Sequence, residues 1–125
     1  MDLRILAAAC VAASLPLAAN GVEPQAAYLD NCAACHQPTG LGIKGAFPAL
    51  AGDPFVLGPA DQVIGTVLNG RGGMPAFRDE LSDEQLAAAI SYIRTGWTNK
   101  AKPVSAADVA AARTSAPKAK SLQAH

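Results

Sequence analysis

The sequence predicts an all-α fold: short helices joined by long loops that wrap something large. Three observations carry this. Apolar residues recur at helical spacing over 60–68 and 82–97, and no stretch alternates as a half-buried strand would. The runs "QPTGLGIKGAFPALAGDP" and "GRGGMPAFRDE" are rich in glycine and proline and read as loops. Loops of this length are uncommon in a compact domain unless they wrap a ligand. The apolar content is 50%, but only six of the 125 residues are aromatic and alanine supplies much of the rest. A core of that kind sits near the limit of what apolar burial alone stabilises, so a cofactor adding apolar surface would help.

In chain order, "MDLRILAAACVAASLPLAAN" reads as a signal peptide over 1–20, cleaved near Ala19 or Asn20. Its apolar run, Ile5 to Ala19, is too short and alanine-rich for a good membrane span, which takes about 20 strongly apolar residues. A lipoprotein reading at Cys10 fails because the apolar run before it is shorter still. Residues 24–35 read as the first helix, with Pro24 at a first helical position. The second helix fits 60–68, where Val63, Ile64, Val67 and Leu68 share a face and Asn69-Gly70 ends it. In the third, Ser82 and Gln85 form a capping box, with Leu81 and Leu86 at the flanking staple positions. Leu86, Ile90 and Ile93 repeat at helical spacing, Trp97 follows one turn on, and Gly96 is the C-cap. A fourth helical piece starts at Ser105. "TSAPKAKSLQAH" then reads as a disordered basic tail. The mature chain divides into a domain over 21–99 and an extension over 100–125.

Formal net charge is zero, but it is unevenly placed. Residues 21–99 hold four basic against eight acidic side chains, net −4, and residues 100–125 hold five basic against one acidic, net +4. No basic stripe with interleaved aromatics occurs, so nucleic acid is not a partner. The tail could dock an acidic partner or a membrane surface, but reads best as a solvated end.

The chemistry lies in "NCAACHQPTG" at 31–40. Removal of the leader takes Cys10 and leaves Cys32 and Cys35, two thiols in an oxidising compartment. Structural zinc wants four ligands. After Cys32, Cys35 and His36 the remaining His or Cys of the mature chain is His125, the last residue, and adjacent Cys35 and His36 are poorly placed to share one tetrahedral ion. A thiol exchange pair wants its first cysteine at a helix N-terminus. Here the pair ends a helix, where the dipole opposes a thiolate. Covalent haem fits best: each thiol adds to one haem vinyl group, and His36 falls under the iron as first axial ligand. Export agrees, because c-type haems are commonly attached outside the cytoplasm. The opposite ligand is usually Met or His. Met74 is the sole methionine of the mature chain, in glycine-rich "GRGGMPAF", where the backbone can approach a flat ligand. A lone methionine otherwise fills core gaps.

With these residues in place, the sequence resembles the small class I cytochromes c of bacteria over about residues 24–99. The resemblance rests on "CAACH", on "FPAL" at 47–50, on "GGMPAF" at 72–77 and on "LSDEQLAAAISYIR" at 81–94, in the family's order. It implies one buried, covalently bound haem c, with the first and last core helices crossing and Tyr28 and Tyr92 packed at that crossing. It implies that the Pro48 carbonyl accepts a hydrogen bond from His36 and that Leu50 packs on the haem face. The family's usual crossing glycine is missing near residue 24, so a looser or shifted crossing is expected. Arg71 and Trp97 are candidate partners of the haem propionates.

With both axial positions filled, no site is open for substrate. The expected function is that of an exported, periplasmic electron carrier of fairly high potential, not an enzyme. Its partners would be a dehydrogenase as donor and an oxidase or reductase as acceptor. The run from "GGMPAF" through "SYIRTGWTN" is similar to cytochrome subunits of bacterial dehydrogenases. A haem sensor or enzyme with a displaceable sixth ligand is the alternative, and a metal or thiol protein without haem is a third.

Overall fold

The computed structural model describes residues 21–115. The expected signal peptide, Cys10 and the basic tail from Ala116 onward lie outside the described residues. The described chain is helical: α1 (Pro24–Asn31), α2 (Ala33–His36), α3 (Ala60–Asn69), α4 (Asp83–Thr95) and α5 (Ala106–Ser115). Extended pairing among these residues is limited to two isolated bridges, Ile43 with Phe47 and Arg71 with Met74.

The single helix expected over 24–35 is two. It breaks at Cys32, whose backbone is at φ −124°, ψ −33°. The Asn31 side chain takes the Ala27 carbonyl at 2.9 Å, and such a side-chain bond competes with a continuing helix. The chain re-enters helix for one turn, with the His36 N–H on the Cys32 carbonyl, and leaves at Gln37 with φ +68°.

The capping box of α4 forms as its sequence spells it. The Ser82 hydroxyl accepts from the Gln85 N–H, and the Gln85 side chain accepts from the Ser82 N–H. Leu86 and Ile90 are fully buried and Ile93 nearly so. Trp97 departs from the expected helical repeat. The helix ends at Thr95, Gly96 is extended rather than left-handed, and Trp97 sits at φ +55°. Its ring meets Tyr28 and Tyr92 edge-on at 5.2 and 5.6 Å, while Tyr28 stacks on Tyr92 at 5.2 Å.

α1 packs on α4 more extensively than any other two of these helices pack. Near this contact, where a looser or shifted crossing was expected for want of a glycine, Ala27 is buried and the Tyr28, Tyr92 and Trp97 rings pack together, the two tyrosines stacked and Trp97 edge-on to both. α5 covers α3 and α4 from the other side. It starts one residue after Ser105, which exchanges bonds with Asp108 across the first turn. It also runs two residues into the stretch expected to be tail, with Thr114 and Ser115 both bonded to the Ala111 carbonyl.

Buried apolar side chains form two clusters. One joins Val63, Ile64, Leu68, Leu86 and Ile90 to Val104, Val109 and Ala112 of the extension. The other holds Tyr28, Ala33, Val56 and Ile93, with Leu50 and Trp97 packed against it.

Val109 is 0% exposed. Val109→Ala removes two buried methyl groups and leaves a gap, and is expected to lower unfolding stability by about 1–3 kcal/mol. Denaturant unfolding of the holoprotein measures it, and an unchanged midpoint would mean that α5 is not part of the core.

Candidate functional site

The two clusters are separated by a cavity of about 410 Å³. That lies within the roughly 300–1,000 Å³ of small-molecule and cofactor sites. Val56 and Ile93 of one cluster and Val63, Leu86 and Ile90 of the other line it, so the walls are mostly apolar. All six residues singled out in the sequence, Cys32, Cys35, His36, Pro48, Leu50 and Met74, line this one space.

The α1–α2 junction supplies three of them. Cys32 and Cys35 are half-buried and unbonded to each other. Burial, and then the neighbouring Cys35 charge, push the Cys32 thiol up to about 11. At neutral pH such a thiol is about one part in ten thousand thiolate, the reverse of what a disulfide-exchange nucleophile needs.

His36 is 8% exposed. Its Nδ1 lies 2.8 Å from the Pro48 carbonyl oxygen. A carbonyl can only accept, so Nδ1 is the donor, and in the neutral imidazole Nε2 is the nitrogen left with a lone pair. A metal-binding imidazole is commonly held this way, with ring orientation and basicity set by the second nitrogen. The 37–50 loop delivers Pro48. Gly42 donates to the His36 carbonyl at 3.0 Å, and Phe47 and Ile43 exchange backbone bonds. Gly42 is at φ +62°, and a Cβ there would meet the Phe47 carbonyl and come within 2.6 Å of the Pro48 oxygen. Leu50 is held to this loop through its N–H on the Gly40 carbonyl, 2.7 Å.

Met74 comes from the loop between α3 and α4. Its N–H closes a turn on the Arg71 carbonyl at 2.9 Å. Gly70, at φ +74°, stands where a Cβ would approach the Met74 carbonyl to 2.5 Å. The loop returns to α3 through the Phe77 and Arg78 N–H groups on the Val67 and Leu68 carbonyls.

The two open candidates separate. Arg71 lines the cavity, with its guanidinium 5.7 Å from the Phe55 ring centre. Trp97 does not line it; its indole N–H donates to the Pro38 carbonyl at 3.0 Å.

Two residues that sequence reasoning passed over hold the remaining wall. Arg94, 4% exposed, donates to the Val56, Gly58 and Lys102 carbonyls at 2.7–2.9 Å. Asn99, also 4% exposed, accepts from the Gly52 N–H and donates to the Leu50 and Ile93 carbonyls. A signal existed for Arg94: it lies four residues after Ile90, on the apolar face of α4. A basic residue in a last helical turn reads first as complementing the dipole.

The donor set fits a covalently attached haem. Two thiols and an imidazole with a committed Nδ1 stand with a thioether around an apolar space, and Arg71 brings a positive charge to it. No group of three or more His, Cys, Asp or Glu side chains placed to hold a bare metal ion occurs among the described residues.

Comparison with known proteins points the same way. The family model described as "Cytochrome C oxidase, cbb3-type, subunit III" matches residues 19–93. The cytochrome c subunit of the alcohol dehydrogenase (quinone) of Gluconobacter oxydans is 36% identical over 100 residues, covering 70% of this chain and 21% of that protein. The gluconate 2-dehydrogenase cytochrome c subunit of Pantoea cypripedii is 38% identical over 112 residues, covering 78% of this chain and 24% of that one. The chain thus spans under a quarter of the length of these dehydrogenase subunits. Cytochrome c6 of Leptolyngbya boryana is 38% identical over 74 residues, covering 54% of this chain and 86% of that protein.

Gly42→Ala would force a left-handed residue with a Cβ against the carbonyl that holds His36. Handedness alone costs roughly 1–2 kcal/mol. We expect at least that loss in denaturant unfolding of the holoprotein, and an unchanged midpoint would show that the 42–48 turn does not support His36.

Proposed function

The chain belongs to the c-type cytochrome family, whose members bind haem c covalently and transfer electrons, and from that premise we propose which residues hold the haem and which partners the chain serves. Cys32 and Cys35 form the two thioether links. His36 and Met74 would hold the iron, the Pro48 carbonyl would keep the His36 ring oriented, and Leu50 would pack against the haem. When bound, the haem supplies a one-electron iron couple. The chain's residues supply the rest. His36 Nδ1 keeps its proton on the Pro48 carbonyl, which fixes the ring and leaves Nε2 as ligand. The apolar lining excludes water. With His36 and Met74 both holding the iron, no position would be left for a substrate, and the chemistry supplied would be outer-sphere electron transfer.

The observation that carries this is the convergence of Cys32, Cys35, His36 and Met74 on one apolar cavity, with the His36 Nδ1 already bonded to Pro48. The donor is a dehydrogenase, because two of the relatives are named cytochrome c subunits of dehydrogenases. The acceptor is an oxidase or reductase. The compartment is the periplasm, reached through the leader at 1–20, since haem attachment of this kind follows export. No helix among the described residues is long and apolar enough to cross a membrane. Contacts of such carriers are small and transient, and charge steers them.

The test is an absorption spectrum of the exported holoprotein, oxidised and reduced, with carbon monoxide added last. Expected are a reduced α-band characteristic of two thioether links, a weak far-red methionine–iron band when oxidised, and no change with carbon monoxide. Met74→Ala is expected to abolish the far-red band and admit carbon monoxide. Carbon monoxide binding by the unaltered protein would overturn the closed-site reading and favour the sensor alternative.

A further inference from the structure

The region that the family model matches ends at residue 93, yet the chain beyond it is built into the fold. After α4 the chain reverses along that helix. The Ala101 N–H donates to the Arg94 carbonyl at 2.9 Å. The Arg94 Nε donates to the Lys102 carbonyl at 2.8 Å. The Ser91 hydroxyl both donates to the Val104 carbonyl and accepts from its N–H, at 3.0 Å each. Val104, Val109 and Ala112 then bury against Ile64, Leu68, Leu86 and Ile90.

The last full turn of α5 meets the loop that carries Met74. Arg113 pairs with Asp83 at the start of α4 and donates to the Arg78 and Leu81 carbonyls. Arg78 returns a bond to the Arg113 carbonyl at 3.1 Å and reaches back to Asn69 at the end of α3. One guanidinium therefore ties three points between the end of the Met74 loop and the first residue of α4. On the other limb the Arg71 guanidinium lies 5.7 Å from the Phe55 ring centre, and no hydrogen bond of that kind to α5 is seen among the described residues. Arg71, Gly72, Gly73, Pro75 and Ala76 are exposed, and the turn there closes on itself through Arg71 and Met74. The Arg113 bonds, together with those of the Phe77 and Arg78 N–H groups to α3, hold the limb that leads directly out of this turn.

We propose that residues 101–115 form a strap whose Arg113 positions the Met74 loop, so that this segment beyond the matched family region sets how firmly Met74 stays in the site. The proposal rests on Met74 being the axial ligand. Arg113 does not itself line the cavity; it acts through Arg78, Asp83 and Leu81, the last of which does line it, and is a positioning residue. Its planar fork matches several carbonyl and carboxylate oxygens at once, which a lysine ammonium cannot do.

The experiment uses the full-length ferric holoprotein with free imidazole as the probe, because imidazole competes for the position Met74 would hold. Wild type, Arg113→Ala, Arg113→Lys and Glu23→Ala are titrated at one pH, following the far-red methionine–iron band. Glu23 caps α1 through the Ala26 N–H, far from the strap in sequence, so its loss controls for general destabilisation. Arg113→Ala is expected to bind imidazole about tenfold more tightly than wild type, equivalent to about 1.4 kcal/mol. Arg113→Lys should fall between the two, and Glu23→Ala should match wild type. If Arg113→Ala does not accumulate as holoprotein, Arg113→Lys against wild type gives the same reading. Wild-type imidazole affinity in the Arg113 variants, or an equal gain in Glu23→Ala, overturns the strap. A wild-type protein with no far-red band overturns the Met74 assignment instead, a separate failure seen before any variant is titrated.

Discussion

The structure is organised by a space its side chains do not fill. Where a domain of this size would place a single core, the buried apolar residues divide into two clusters with a cavity of about 410 Å³ between them. Packing density in folded proteins leaves few voids larger than a water molecule. An apolar cavity of this size therefore implies a resident group whose own surface completes the core. Ala89, 2% exposed, is buried on the wall of the space.

Loops must then do what a core usually does. A long loop carries backbone carbonyls that need partners when buried. Here long polar side chains supply them, three from helices and Asn99 from the segment after α4: His36 to Pro48, Arg94 to Val56 and Gly58, Asn99 to Leu50, and Arg113 to Arg78 and Leu81. The buried Arg94 guanidinium is held by three carbonyl dipoles and keeps the Val56–Gly58 segment against α4. Charge-assisted bonds of this kind are stronger than neutral ones, and losing one donor leaves several acceptors without partners. The walls of the site are therefore held by hydrogen bonds, while the resident group supplies the apolar contact between them.

This arrangement suits electron transfer. Outer-sphere transfer asks for a rigid, mostly dry site with little rearrangement between oxidation states, and nothing in it needs a substrate to enter. The same geometry disfavours the thiol-exchange reading, because burial holds the Cys32 thiol in its neutral form. Similarity to cytochrome c6, most of whose length the chain covers, and to a short part of much longer dehydrogenase subunits shows one domain type used alone and within larger proteins.

What the sequence determined by itself was local or chemical. The capping box of Ser82 and Gln85, the apolar face of α3 and the Leu86, Ile90 and Ile93 repeat all depend on residues a few positions apart, and they formed as spelled. Cys32, Cys35, His36 and Met74 were legible because few residue types do that chemistry and the chain has few of them. Pro48 and Leu50 came from a family resemblance rather than from spacing. What only the tertiary structure decided was long-range. Trp97 leaves the helical repeat to close a ring cluster with Tyr28, far away in sequence. The roles of Arg94, Asn99 and Arg113 depend on carbonyls about 5–50 positions distant, and a polar residue's partner at such separation leaves no periodic trace in the chain. The sequence therefore names the groups that would hold the haem, and the folded chain decides which polar side chains hold those groups in place.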